Sequence, residues 1–127
     1  MTESSPQYVF YSWIAGQVLA RRRQALRVGQ VEMARALGTS QATWSRVESG
    51  ISPLTIEQLS HAAELLGLHA TDVMAEVDEY AERYREQGIP VLYHRTKEPP
   101  NVAAMLAAGL GAYGLIKVLS SSDRGEE

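Results

Sequence analysis

The 127-residue sequence predicts a mainly α-helical fold: a five-helix bundle followed by a C-terminal extension made of a short strand or arm and an Ala/Gly-rich helix. Three observations predict it. Apolar residues recur at helical spacing through most of residues 8–87. Glycines fall where those periodic stretches stop, as helix ends require. The 45% hydrophobic and 21% charged content is that of a globular chain, not a disordered one.

Residues 1–12 are expected to form a flexible leader, most clearly over 1–7. The apolar pattern already begins within it: Phe10, Ile14, Val18, Leu19, Leu26 and Val28 mark a first helix over roughly 8–28, carrying the basic run Arg21-Arg22-Arg23. Gly29 interrupts. A second helix over 30–37 turns Met33, Ala34 and Leu37 inward. Gly38 allows a left-handed exit, and Thr39 or Ser40 can cap a third helix that runs to about residue 49. Trp44 and Val47 form its inner stripe, and Gly50 ends it. After the Ser52-Pro53 turn, Thr55 with Gln58 three residues on reads as a capping box. Ile56, Leu59, Ala62, Ala63 and Leu66 are the expected buried stripe of the fourth helix, closed by Gly67.

Thr71-Asp72 opens a fifth helix that extends to residue 87, with Val73, Val77, Tyr80 and Tyr84 on one side. Beyond Gly88 the character changes. IPVLYHR is a short run rich in β-branched and aromatic residues, which predicts a strand or extended arm. The prolines of TKEPP mark a linker. The apolar segment 101–119 and an acidic tail complete the chain.

Composition excludes several function classes. With no cysteine there is no disulfide framework, thiolate metal site or thiol nucleophile. The start, MTESSPQYVFYSW, lacks the basic and apolar regions of a signal peptide, so a cytoplasmic location is expected. His61, His69 and His94 lack metal-ligand spacing, and GLGAYG lacks the preceding strand that a phosphate-cradling loop needs. Asp78, Glu79, Glu82 and Glu86 read as a solvated helix face. No catalysis, metal or cofactor is expected.

The net charge of −3 argues against a protein that coats nucleic acid indiscriminately. Charge is uneven, however. Residues 1–70 carry six arginines against five glutamates, whereas the remainder carries six basic against ten acidic groups. Any nucleic-acid contact therefore belongs to the first half and depends on local geometry.

The stretch QVEMARALGTSQATWSRVESG, residues 30–50, supplies that geometry. Two short helices joined by a glycine turn, with one helix before and two after, form a helix-turn-helix arrangement. Ala34 is small where the two helices cross. With Trp44 and Val47 turned inward, Gln41, Ala42, Thr43, Ser45 and Arg46 face outward on the third helix. In a major groove, Gln pairs with adenine and Arg with guanine, while Ala or the Thr methyl meets a thymine methyl.

These residues, with VESG at 47–50 and SPLTIEQLSHAAELLGL after it, resemble the phage-repressor-like (Xre/Cro) family of DNA-binding domains over residues 13–70. The resemblance implies a lambda-repressor-like bundle and double-stranded DNA as partner. It makes Gln41, Ala42, Thr43, Ser45 and Arg46 the base-reading set. Gln30 and Ser40, with Arg21 and Arg22, become the phosphate-contacting set. It also implies that Arg23 and Glu48 bridge the first and third helices, with Ala34, Gly38, Trp44 and Val47 structural. Three departures stand out. The family usually places its turn glycine about two residues before Gly29, so the first turn is expected to differ. Thr39 replaces an apolar residue. Trp44 is bulkier than the usual Ile or Val, so the third helix is expected to sit further out.

On this reading residues 71–88 are a connecting helix and 89–127 a dimerisation or oligomerisation extension. One small helix reads about half a site, which implies a homodimer, and VLY is a strand that can pair with its symmetry mate. Segment 101–119 is favoured as an oligomerisation helix over a membrane anchor at the cytoplasmic face of the inner membrane. The expected function is a sequence-specific transcriptional regulator, a dimeric repressor. The alternative is an antitoxin-like or membrane-tethered assembly module that holds a protein partner.

Overall fold

The computed structural model describes residues 8–93. Its elements in chain order are β1 (Val9–Phe10), α1 (Tyr11–Ala25), α2 (Gln30–Ala36), α3 (Gln41–Glu48), α4 (Ile56–Leu65), α5 (Ala70–Glu86) and β2 (Val91–Leu92). The fold is mainly α with five helices, as the periodicity predicts. Helix α1 is the central post. It packs against α5 on one side and α3 on the other, while α2 and α3 pack together. All five helices feed one core, whose largest fully buried side chains include Trp44, Leu19, Met33, Val73 and Val77. Burying such a side chain stabilises by roughly 1.5–3 kcal/mol, so the core fixes where α3 sits.

Every helix ends in the same way. The N–H groups of Val28, Thr39, Ile51, Leu68 and Ile89 bond back to the carbonyls of Arg23, Ala34, Arg46, Ala63 and Tyr84. This closure needs a left-handed residue just before the returning N–H. Gly38, Gly50, Gly67 and Gly88 supply it at φ 72° to 77°, and Arg27 supplies it at φ 59°. The first turn therefore does not differ in kind from the others. Arg27 adopts the left-handed conformation itself, which strains a residue with a Cβ by about 1–2 kcal/mol.

The structure corrects several expectations. Residues 8–12 do not belong to a flexible leader: Val9–Phe10 pair in parallel with Val91–Leu92, Val9 is buried, and α1 starts at Tyr11. One edge of the VLY strand is thereby paired within its own chain. Helix α5 is more than a connector. Val73, Val77 and Ala81 are completely buried, so the bundle extends well past residue 70. It opens at Ala70, one residue earlier than Thr71-Asp72, because the Asp72 carboxylate accepts the His69 N–H at 2.8 Å. Leu26 and Ile56 fit the helical spacing yet are 54% and 81% exposed, since each lies at a helix end beyond the reach of the core. The Thr55–Gln58 capping box forms as expected. Residues 1–7 and 94–127, with the segment 101–119 and His94, lie outside the described residues. Among the described residues, no helix is long and apolar enough to cross a membrane.

Candidate nucleic-acid interface

Helix α3 is short, and its start is fixed by a side chain. Ser40 is the N-cap: its hydroxyl oxygen accepts the Thr43 N–H at 3.1 Å and its hydroxyl donates to Thr43 Oγ1 at 2.8 Å. Such a cap stabilises by about 1 kcal/mol. The helix then divides by face. Trp44, Val47 and Glu48 are buried, Thr43 and Ser45 are half-buried, and Gln41, Ala42 and Arg46 are exposed. Helix α2 crosses behind it, with Ala34 fully buried at the contact and Gly38 making the left-handed turn between them.

A buried carboxylate ties the three helices together. Glu48 Oε1 accepts from Arg23 Nη2 at 2.9 Å and from Gln30 Nε2 at 2.8 Å. Its Oε2 accepts from Arg23 Nε at 2.7 Å and from Trp44 Nε1 at 2.6 Å. Arg23 Nη1 also donates to the Val28 carbonyl at 2.8 Å. Both charged groups are nearly inaccessible, 7% exposed for Arg23 and 4% for Glu48. A pair this deep is tolerable only when its remaining donors and acceptors are satisfied. Among the described residues, no buried side-chain nitrogen or oxygen lacks a partner.

The network reaches the surface through one residue. Gln30 donates to Glu48 and accepts from Gln41 Nε2 through its own Oε1 at 2.8 Å. The exposed amide of Gln41 is therefore held by a chain of hydrogen bonds that starts at the core ion pair. Both ends of the Gln30 side-chain amide are engaged within the protein.

The far end of α3 is braced against α1 at very close range. A Cβ placed on Gly16 would lie 2.4 Å from the Glu48 carbonyl oxygen and 2.6 Å from that of Val47. Gly50 abuts the Trp13 backbone, where a Cβ would come within 2.6 Å. Gln17 Nε2 donates to the Glu48 carbonyl at 3.0 Å. Trp44 therefore does not push α3 outward. The indole is 1% exposed and fills the core, while the absent side chain of Gly16 lets the helix ends touch.

Arginines sort into two groups. Arg22 clamps Glu76 at 2.8 Å, and Arg21 donates to the Tyr80 hydroxyl with its guanidinium 4.9 Å from the centre of that ring. Both are engaged by side chains of α5. Arg83 pairs with Glu79 and Arg85 with Glu82 and the Tyr93 hydroxyl. Arg27, Arg35 and Arg46 are exposed and their guanidinium groups have no partner among the described residues. Among the described residues the free positive charge thus lies on the turn after α1 and on α2 and α3, and the acidic groups crowd α5. On the α5 side, Tyr11 donates to Asp78 and its ring lies 5.1 Å from that of Tyr93, tilted by 40°. Burial, followed by the hydrogen bond to Asp78, raises the Tyr11 phenol well above its ordinary range. Among the described residues, no His, Asp and Glu cluster could hold a metal.

A family model described as a helix-turn-helix domain matches residues 14–77. The chain belongs to that helix-turn-helix family. The matched span takes in α1 through most of α5's first half, in agreement with the burial that joins α5 to the bundle. Among solved structures, the helix-turn-helix chain is similar to the clp gene regulator ClgR from Corynebacterium glutamicum. One ClgR structure is 25% identical and covers 61% of this chain and 82% of that one, with a TM-score of 0.58. A second is 26% identical and covers 55% and 91%, with a TM-score of 0.53. Hydroxypropylphosphonic acid epoxidase from S. wedmorenis matches at a TM-score of 0.46 over 35% of its own length, too little to carry an argument. No curated protein matches the chain.

Sequence reasoning assigns Arg23, Glu48, Ala34, Gly38, Trp44 and Val47 to the frame; in the structure Arg23 and Trp44 both bond to Glu48, Ala34 and Val47 are buried in the core, and Gly38 makes the turn between α2 and α3. It missed three things. The Trp44 indole bonds to Glu48, a pair visible as residues four apart on one helix. Gly16 sits inside a periodic apolar helix, where a glycine signals the close approach that the structure shows. The coupling of Gln30 to Gln41 joins residues eleven apart and leaves no local signal.

Proposed function

We propose that the protein is a DNA-binding transcriptional regulator that reads duplex DNA with α3 in the major groove. One observation carries this reading: the exposed face of a rigidly braced α3 presents Gln41, with its amide pre-set by Gln30, beside Ala42 and Arg46. A glutamine held in one orientation loses little freedom when it pairs with adenine N6 and N7, and Arg46 has its five donors free for guanine O6 and N7. Thr43 and Ser45 stand at the edges of this face, their half-burial limiting them to supporting contacts. Gln30 and Ser40 contribute by holding Gln41 and the start of α3, with a phosphate within their reach as a secondary role. The similarity to ClgR supports a regulator.

Eight helical residues span about 12 Å, which covers roughly three to four base pairs. A homodimer reading two half-sites about one helical turn apart gives the specificity a single helix lacks. In this reading the protein acts in the cytoplasm, as a repressor that occupies an operator. Selection of bound fragments from random duplexes, followed by titration of the selected site, tests it. Wild-type protein is expected to enrich a two-fold symmetric site. Gln41→Ala and Arg46→Ala should each relax preference at one base position by about 1–3 kcal/mol and leave the helical content intact. Enrichment of no sequence at low salt, or unchanged preference in both variants, contradicts it.

A further inference from the structure

The same closure ends all five helices, and the chain solves it with glycine four times and with arginine once. Arg27 is that exception. At φ 59° it holds a conformation that side chains with a Cβ rarely adopt, and glycine is the residue that fits there without strain. Nothing within the described fold explains the choice. The Arg27 guanidinium is exposed and makes no hydrogen bond, ion pair or ring contact there, in contrast to Arg21, Arg22 and Arg23 on the preceding helix.

Its position is informative. Arg27 lies three residues before Gln30, which is bonded to Gln41 at the start of α3. The turn that carries it is also pinned from inside, because Arg23 Nη1 holds the Val28 carbonyl at 2.8 Å. The 26–29 turn is thus a rigid shoulder beside the N-terminal end of α3. When α3 lies in a major groove, a shoulder at its end faces the sugar–phosphate strand that borders the groove. A long side chain with a planar, permanently charged donor fork suits a phosphate at that place.

We propose that Arg27 is a phosphate-contacting residue that sets the register of α3 on the duplex, and that the left-handed strain is retained for this contact. The proposal rests on the DNA-reading function above. It predicts opposite signs for folding and binding, a combination that a merely solvated arginine does not produce.

Arg27→Gly and Arg27→Lys, in the full-length chain, test it against the selected duplex and a scrambled one over a salt series. In Arg27→Gly the melting temperature is expected to rise by roughly 3–6 °C as strain is relieved. Affinity for both duplexes should fall together by about 5–20-fold, with no change in sequence preference. The slope of log K against log salt should shrink by about 0.9 per bound protomer. Arg27→Lys keeps the charge and should keep most of that slope. Unchanged affinity and slope in Arg27→Gly overturns the proposal while leaving the DNA reading intact, as does a loss confined to one base position. Wild-type protein that binds neither duplex overturns the reading itself, and this inference with it.

Discussion

Replacing Glu48 with glutamine removes one charge and almost no volume, so it isolates the electrostatic part of the lock between α1, α2 and α3. The carboxylate accepts two hydrogen bonds on each oxygen, from Arg23 and Gln30 on Oε1 and from Arg23 and Trp44 on Oε2. An amide has a single acceptor oxygen, so either orientation turns an NH2 group toward two donors. Arg23 keeps its charge, is 7% exposed and loses its counter-ion. Breaking a buried pair in this way costs about 3–5 kcal/mol. A domain of this size holds about 4–13 kcal/mol in total, so Glu48→Gln should be marginally folded at room temperature. Its melting temperature should fall by roughly 15–30 °C. Urea unfolding followed by tryptophan fluorescence suits the measurement, because Trp44 is buried against the altered group. A second variant, Arg23→Met with Glu48→Leu, removes both charges and should recover most of the stability. It also leaves Gln30 without its anchor, so DNA binding should stay impaired. A cost below about 1 kcal/mol for Glu48→Gln refutes the reasoning, and so does full DNA affinity in the double variant.

Other expectations follow from single contacts. Gly16→Ala drives a methyl group into the backbone carbonyls of Val47 and Glu48, which have no flexible end to yield. It should cost about 2–3 kcal/mol by chemical denaturation and weaken DNA binding by tilting α3. Arg22→Ala removes a half-exposed ion pair with Glu76, and should lower stability by no more than about 1 kcal/mol while the salt dependence of DNA binding stays as in wild type. For Tyr11, burial first and the Asp78 hydrogen bond second raise the folded-state pKa above the usual value of about 10. A raised pKa means that this stabilisation is complete below the unfolded value and is lost as pH climbs through the folded one. Phenolate absorbance should show one tyrosine ionising well after the others, and Tyr11→Phe should remove that late step. A titration in which all tyrosines ionise together contradicts the assignment.

Much of the fold is legible because short-range rules govern it. The apolar spacing of Leu19, Met33, Trp44, Val73 and Val77, the glycine stops and the Thr55–Gln58 capping box are all local, and each is realised in the structure. What local rules miss is long-range. Val9 and Val91 pair although eighty-odd residues apart, so residues 8–12 are no leader and one edge of the VLY strand is already taken. Arg21 and Arg22 read as a basic patch, but their fate depends on Glu76 and Tyr80, which α5 brings alongside. Ile56 has the right spacing for burial and the wrong place, at the first helical position of α4 where the core no longer reaches. The candidate interface follows the same division. Gln41, Ala42 and Arg46 face outward as the Trp44–Val47 stripe dictates, whereas the hydrogen bonds that fix Gln41 through Gln30 to Glu48 exist only in three dimensions.

The central claim is that α3 itself enters the groove. Backbone amide chemical shifts of isotopically labelled protein, followed while a selected duplex is added, report this residue by residue. The largest changes are expected over residues 39–46 and in the 27–31 shoulder, with α5 scarcely moved. Changes centred on α5, or none at concentrations that saturate binding by other methods, contradict it.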